Sequence, residues 1–234
     1  MRDPEILITT HFWGNKYPIE YVKRLYAGVR RHLSLPHRFL VVTDTPGRFL
    51  GTGIISTPIW DPQLTKVKGC TVRLRMFDPA WQITADALPG SKIVSLDIDL
   101  IVTGQLDPLF QREETFTILQ GVNSANPCPF NGSIFMFKAG THSDVWYDYS
   151  VEANKLVPYY EFPDDQGWLH YKCPVAGAWG SSDGVYAFQK RGWTTGDDLP
   201  ANARIVAFPG SRDPGKVAHL DWVRNNWRID DRAA

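Results

Sequence analysis

Residues 91–110, SKIVSLDIDLIVTGQLDPLF, carry the strongest structural signal in this chain. A largely apolar stretch runs from Ile93 to Val102, and Asp97 and Asp99 interrupt it. The segment Lys92–Ile98 predicts a buried strand, and two carboxylates two residues apart on a strand project to the same side. If that strand is central and parallel, both acids point into the crevice at its carboxyl end, where open α/β sheets bind ligands.

A pair of acids inside a hydrophobic strand has a physical cost. Like charges repel and are expensive to desolvate, so the pair calls for a compensating cation. Oxygen ligands of this kind suit Mg²⁺ or Mn²⁺. The alternative interpretation is a frayed strand end, with one or both acids in water.

The segments around this stretch predict α/β architecture. Glu5–Thr10 is typical of a buried strand, the apolar spacing from Ile19 to Val29 predicts a helix, and Phe39–Thr43 predicts a second strand. A strand-helix-strand unit of this length forces a parallel crossover. Further strands are predicted at 115–120, 133–137, 185–189 and 204–208, and helices near 142–155, 164–171 and 217–227, with a weaker helical stretch at 73–88 that Pro79 breaks. Without a repeat or a long linker, residues 1–234 are predicted to form one domain with a mixed, mainly parallel sheet flanked by helices.

Composition excludes several classes of protein. The 234 residues include 25 Lys and Arg and 25 Asp and Glu, so the formal net charge is zero and no nucleic-acid partner is expected. Cys70, Cys128 and Cys173 are odd in number and widely spaced, which indicates neither a disulfide framework nor a zinc ribbon. No apolar run approaches the ~20 residues of a membrane helix, and the start of the chain is unlike a signal peptide. We therefore expect a cytoplasmic protein without a transmembrane segment.

The flanks of the acidic pair resemble the nucleotide-sugar glycosyltransferases of the GT-A fold, particularly family 8 and related bacterial enzymes. In that family an apolar strand leads into L-D-x-D, and an LDPLF-like turn follows, as at Leu106–Phe110. Similar segments follow the family's order over most of the chain, at 8–32, 129–140 (PFNGSIFMFKAG), 164–169 (DDQGWL) and 205–217 (IVAFPGSRDPGKV). The resemblance implies a Rossmann-like GT-A domain that moves a sugar from a nucleotide-diphosphate donor, a UDP-sugar, to an acceptor hydroxyl. It further implies retention of the anomeric configuration and an acceptor that is a glycan, a lipid-linked sugar or a small molecule.

The resemblance assigns donor-binding roles to particular residues. Asp97 and Asp99 would hold Mn²⁺ or Mg²⁺, with Asp97 also near the ribose and the ion bridging Asp99 to the diphosphate. Such an ion acts as a Lewis acid on the leaving nucleotide. Thr9 and Thr10 would contact the nucleoside. Arg73, within CTVRLRMF, would approach the donor, and its alternative is an ordinary arginine on a helix surface.

A second group of residues corresponds to the family's catalytic positions. Asn131 would line the donor sugar and the acceptor, although an Asn-Gly pair alone is also typical of a turn. Asp165 and Gln166 would lie beside the reacting anomeric carbon. Asp164 and Asp165 also suit a helix N-cap, and both interpretations can hold together.

The late segment departs from the family pattern. The family has a histidine that completes the metal site, whereas this chain has Ala-Phe-Pro at 207–209. Asp213 stands where a lysine that clamps the diphosphate is expected. The third protein ligand and one phosphate clamp are therefore in question.

Several nearby residues are candidates for the missing groups. Arg212 and Lys216 could supply positive charge to the diphosphate, since arginine grips phosphate with two hydrogen bonds, or they could be solvated loop cations. His11, His219 or water could replace the missing histidine as a metal ligand.

Two other functions compete with sugar transfer. The string DIDLI resembles the acidic motif of haloacid-dehalogenase-type phosphatases, whose first aspartate is a nucleophile. That motif normally follows the first strand, whereas a complete strand-helix-strand unit precedes it here. The missing histidine and lysine also fit a nucleotide-sugar binding protein that has lost turnover.

Overall fold

A computed structural model describes residues 5–122, 128–158 and 164–229 of the chain. Two β-sheets form its framework. The ten strands of this region are β1 Ile6–Phe12, β2 His37–Thr43, β3 Ile55–Pro58, β4 Lys92–Leu96, β5 Ile101–Val102, β6 Phe116–Gln120, β7 Phe130–Lys138, β8 Gly177–Trp179, β9 Val185–Ala187 and β10 Ile205–Ala207. The helices are α1 Glu20–His32, α2 Pro79–Thr84, α3 Asp107–Phe110, α4 Asp144–Tyr147, α5 Val151–Asn154, α6 Asp165–Lys172 and α7 Asp221–Asn226.

The central sheet has seven strands in the order β3-β2-β1-β4-β7-β6-β8. Neighbouring strands are parallel except where β7 pairs with β4 and β6. The predicted strand-helix-strand unit is confirmed, since α1 connects the parallel strands β1 and β2. A mixed, mainly parallel α/β sheet flanked by helices is therefore the fold, as the sequence predicts.

A second sheet of three strands, β5-β10-β9, lies outside this ladder. It contains the late segments that the sequence predicts as strands, together with the two-residue strand β5. Its apolar residues Ile101, Val185 and Val206 belong to the same hydrophobic cluster as Ile8 of β1 and Val22 of α1. The small sheet is thus packed into the core on one face of the large one.

Several predicted boundaries are wrong for identifiable reasons. The helix expected near 142–155 is two short helices, because Ser150 accepts a hydrogen bond from the Ala153 amide and starts α5 as a new N-cap. The stretch 73–88 is a 3₁₀ helix, Thr71–Phe77, followed by α2, which Asp78 caps before Pro79. The helix expected near 217–227 is limited to α7, and Val217 is the last residue of a separate 3₁₀ turn, Pro214–Val217.

Two further expectations concern the whole chain. All three cysteines lie in the described part of the chain, and none is in a disulfide. No helix of the described region has the length and apolar character that a bilayer crossing requires.

Candidate functional site

A pocket of about 170 Å³ opens at the carboxyl edge of the central sheet, beside the ends of β1 and β4. From β1 the chain proceeds outward to β2 and β3, then returns to place β4 on the other side of β1. Such a reversal of strand order is where open α/β sheets bind ligands. The pocket wall is formed by His11, Trp13, Lys16, Tyr17, Cys70, Arg73 and the segment 95–99.

Asp97 and Asp99 both lie in this wall, but not on the strand itself. Strand β4 ends at Leu96, and a turn follows in which the Leu100 amide donates to the Asp97 carbonyl at 3.3 Å. The predicted strand Lys92–Ile98 is therefore two residues too long. The acids share the pocket because the turn holds them there, and the Asp97 amide is fixed by the Ser133 carbonyl at 2.9 Å.

Burial raises the pKa of both carboxyl groups. For Asp97 the nearby Arg73 opposes this shift. For Asp99, burial and the charge of Asp97 raise the pKa to about 7, although the Tyr17 hydroxyl donates to its Oδ2 at 2.8 Å. The pocket therefore disfavours the ionised form of the acidic pair unless a further cation joins it.

Arg73 is the internal cation of the site. Its side chain is buried, with Nη2 2.6 Å from Asp97 Oδ1 and Nε 3.1 Å from Asp165 Oδ2, and it also donates to the Gly132 carbonyl. The interpretation of Arg73 as a helix-surface arginine is therefore wrong. The sequence predicts a cation beside the acidic pair. For Asp97, the protein itself supplies that cation as Arg73.

Asp165, Gln166 and Asn131 form a layer behind Arg73 and do not belong to the pocket wall. Asp165 approaches Gly132 so closely that a Cβ atom there would lie 2.8 Å from its Oδ2. Gln166 Oε1 accepts from the Gly132 amide at 3.1 Å, and Asn131 Oδ1 accepts from the Ser133 amide at 3.1 Å. The sequence-predicted catalytic residues thus contact the pocket through Arg73 and the backbone at the start of β7.

Asp164 caps helix α6, as the N-cap interpretation predicts. Its Oδ1 accepts from the Gly167 amide at 2.8 Å. Burial and the charge of Asp165 raise the pKa of Asp164 to about 7.

The two threonines of β1 lie inside the sheet and outside the pocket wall. Both are fully buried, and Thr9 Oγ1 donates to the Val94 carbonyl at 3.1 Å. The wall contains His11 instead, one residue after Thr10, and burial next to Arg73 lowers the pKa of its imidazole to about 3. His11 is therefore neutral at ordinary pH.

The late loop, which follows β10 and contains Asp213, places an acidic rather than a basic side chain near the pocket. Asp213 Oδ1 accepts from the Tyr21 hydroxyl at 2.6 Å, and the Tyr21 ring centre lies 4.9 Å from that of Tyr17 in the pocket wall. Arg212 donates to the Gln189 carbonyl at 3.3 Å and Lys216 to the Ser211 carbonyl at 3.0 Å. Neither cation belongs to the wall, and His219 also lies outside it.

The donor set of the pocket fits a hard divalent cation only in part. Asp97 and Asp99 supply carboxylate oxygens, which Mg²⁺ and Mn²⁺ prefer. Across the described residues, however, no three His, Cys, Asp or Glu side chains come together as a metal-binding group. Since Mg²⁺ is commonly held by one or two carboxylates together with substrate phosphates, the pair fits an ion that arrives with a phosphorylated ligand.

Trp13, Lys16, Tyr17 and Cys70 are pocket residues that the sequence reasoning missed. Three of them lie in the loop between β1 and α1. Their position after the first strand, at an edge where the strand order reverses, is the signal that could have identified them.

The fold of this chain is similar to that of solved glycosyltransferase structures. The galactosyltransferase LgtC, solved in complex with donor and acceptor sugar analogs, is 12% identical with a TM-score of 0.59, over 97% of this chain and 98% of that one. The glycosyltransferase GlyE of Streptococcus pneumoniae TIGR4 is 14% identical with a TM-score of 0.60 over 95% of this chain, which spans 63% of GlyE. No protein-family model and no curated protein sequence matches the chain. At these identities the comparisons establish a shared α/β fold, that of GT-A-like glycosyltransferases.

Proposed function

We propose that the chain is a glycosyltransferase of the family 8 type that transfers a sugar from a UDP-sugar to an acceptor hydroxyl with retention of configuration. The observation that carries the proposal is the position of Asp97 and Asp99. They lie in a pocket at the point where the strand order reverses, within a fold shared with glycosyltransferases. LgtC was solved with donor and acceptor sugar analogs, which supports a two-substrate site on this fold.

Asp97 and Asp99 are the residues that would hold Mn²⁺ or Mg²⁺. When bound, the ion supplies Lewis-acid stabilisation of the departing nucleotide diphosphate. Arg73 holds Asp97 in place and opposes the rise in its pKa, because the guanidinium is buried against that carboxylate. Asp165 and Gln166 then set the shape and hydrogen bonding of the sugar side of the site through Arg73 and Gly132, and Asn131 does so through the Ser133 amide.

The acceptor in this proposal is a glycan, a lipid-linked sugar or a small molecule. We place the reaction in the cytoplasm, which the three unbridged thiols support. Tracking the anomeric proton of the first-formed product by NMR distinguishes retention from inversion.

The direct test is nucleotide-dependent thermal stabilisation. We expect a UDP-sugar with Mn²⁺ to raise the melting temperature more than GDP-, CDP- or TDP-sugars, and more than either component alone. A ligand at 100 times its Kd stabilises a folded protein by about 2.7 kcal/mol, which such a scan resolves. Asp99→Asn should lose the Mn²⁺-dependent part, whereas Asp221→Asn, at an exposed residue of α7, should retain it. Full stabilisation of Asp99→Asn would contradict the assignment of the metal site.

Turnover separates the competing functions. A binding protein without activity would show Mn²⁺-dependent UDP-sugar stabilisation but no consumption of donor with any acceptor. A phosphatase would hydrolyse aryl phosphates and lose that activity in Asp97→Asn. The shared fold and the contact of Asp97 with Arg73 favour the transferase over the phosphatase.

A further inference from the structure

The pocket wall contains two acids and two cations. Asp97 and Asp99 are the acids, Arg73 and Lys16 are the cations, and His11 is neutral because its pKa is lowered to about 3. A nucleoside diphosphate adds at least two negative charges to this balance. The affinity of the pocket for a nucleoside diphosphate therefore depends on the wall cations that are not already paired with protein groups.

Arg73 is already committed to the protein. Its guanidinium lies within 3.1 Å of carboxylates of both Asp97 and Asp165 and also donates to the Gly132 carbonyl. The side chain is 94% buried, so it is held in this geometry. A phosphate could recruit it only by displacing one of these partners.

Lys16 is the wall cation that is not paired with a carboxylate of the described residues. It is exposed, and among the described residues no carboxylate lies within ion-pair distance of it. Its Nζ lies 4.6 Å from the centre of the Tyr17 ring, a weak contact that a phosphate can replace. Lys16 therefore meets the pocket with its three N–H donors available.

The loop that carries Lys16 is fixed on both sides of it. The Gly14 amide donates to Asp44 Oδ2 at 3.0 Å, and the Tyr17 hydroxyl donates to Asp99 Oδ2 at 2.8 Å. The second bond ties the residue next to Lys16 directly to the acidic pair. The lysine is thus held beside the place where an ion and its phosphates would sit.

We propose that Lys16 is the phosphate-binding cation of the pocket and contacts the diphosphate of the nucleotide donor from the β1–α1 loop. This inference rests on the proposed function. It accounts for the late loop, where Asp213 stands at the position at which the resemblance leads one to expect a lysine. Because Asp213 bonds to Tyr21 next to Tyr17, that loop adds negative charge near the pocket, and the compensating cation must come from elsewhere.

Calorimetric titration of the whole chain with UDP and with uridine, each with Mn²⁺, tests the inference. Lys16→Met keeps most of the side-chain length and removes the charge. We expect it to weaken UDP binding about tenfold, the size of one charge-assisted hydrogen bond, and to leave uridine binding unchanged. Lys16→Arg should restore most of the UDP affinity. Lys23→Met, on α1 and outside the pocket wall, is the matched control and should bind UDP as the unmodified chain does.

The outcomes separate the two levels of the proposal. If the unmodified chain binds UDP and Lys16→Met binds it equally well, the assignment of Lys16 is overturned while the proposed function stands. An equal loss of UDP and uridine affinity would also overturn it, because Lys16 would then be shaping the loop. If the unmodified chain binds no nucleotide, both the function and the assignment fail.

Discussion

At the residue scale, Arg73 holds together the buried part of the site. It contacts Asp97 from the turn after β4 and Asp165 from helix α6, so one side chain neutralises acids from two elements. Neither acid has another ion-pair partner among the described residues. The stability of this region therefore depends on the arginine more than on either acid alone.

Replacing Arg73 with methionine should destabilise the protein by about 3–5 kcal/mol, because the buried carboxylate of Asp165 and the partly buried carboxylate of Asp97 lose their cation. The deficit should grow as the pH rises, since burial raises the pKa of Asp97 and Arg73 no longer opposes that rise in the variant. Urea unfolding followed by circular dichroism at pH 5 and pH 8 measures both effects.

The matched control is Arg224→Met, which breaks an exposed ion pair with Asp221 within α7. Exposed pairs contribute about 0–1 kcal/mol, so this variant should remain close to the unmodified protein. A loss of less than 1 kcal/mol in Arg73→Met at pH 8 would mean that the two acids find other compensation.

At the element scale, helix α6 is positioned by an N-cap whose ionisation is unfavourable. Asp164 accepts a hydrogen bond from the Gly167 amide, yet burial and Asp165 raise its pKa to about 7. An acid whose pKa is higher in the folded state than in the unfolded state contributes stability below the unfolded value of about 4. That contribution is lost as the pH rises through about 7.

Asp164→Asn should therefore become more stable relative to the unmodified protein as the pH rises from 4 to 8, because asparagine caps a helix equally well and does not ionise. Asp164→Ala serves as the comparison, since it removes the cap as well and should cost about 1 kcal/mol at pH 4. Thermal unfolding across this pH range measures the differences. Parallel curves for the unmodified protein and Asp164→Asn would contradict the raised pKa.

The elements also show which parts of the structure the sequence could predict. Long periodic segments such as α1 and apolar runs such as β4 are predictable, because their patterns match one secondary structure only. The strands β3, β5 and β8 were missed, since each has two to four residues and owes its conformation to pairing with a distant neighbour.

The same distinction applies to the site. The D-x-D motif predicts the acids, but the bridge from Arg73 to Asp165 depends on contacts between residues 92 positions apart, which no local pattern encodes. The burial of Thr9 and the presence of Lys16 and Tyr17 in the wall likewise follow from how β1 and its loop pack, not from residue type.

At the scale of the whole molecule, the central sheet separates two hydrophobic clusters. Phe77, from the 3₁₀ helix, stacks on Phe137 of β7 in one of them. Phe188, which follows β9, stacks on Phe208 in the other, where the small sheet is packed. Because β1, β4 and β7 contribute residues to both clusters, the two faces share one backbone ladder. The two clusters are therefore expected to unfold together, as one domain.

Phe77→Ala and Phe188→Ala test this coupling, since each removes a buried ring from one cluster only. Each should destabilise the protein by about 3–5 kcal/mol and shift one common transition. Denaturant unfolding followed by tryptophan fluorescence and by far-ultraviolet circular dichroism should give coincident curves for both variants and for the unmodified protein. If Phe188→Ala instead produced an early transition that leaves half of the signal unchanged, the small sheet would be an independent folding unit. If the chain unfolds as one domain, the pocket should be lost in the same transition in both variants. Its wall lies at the ends of β1 and β4, the strands that contribute residues to both clusters.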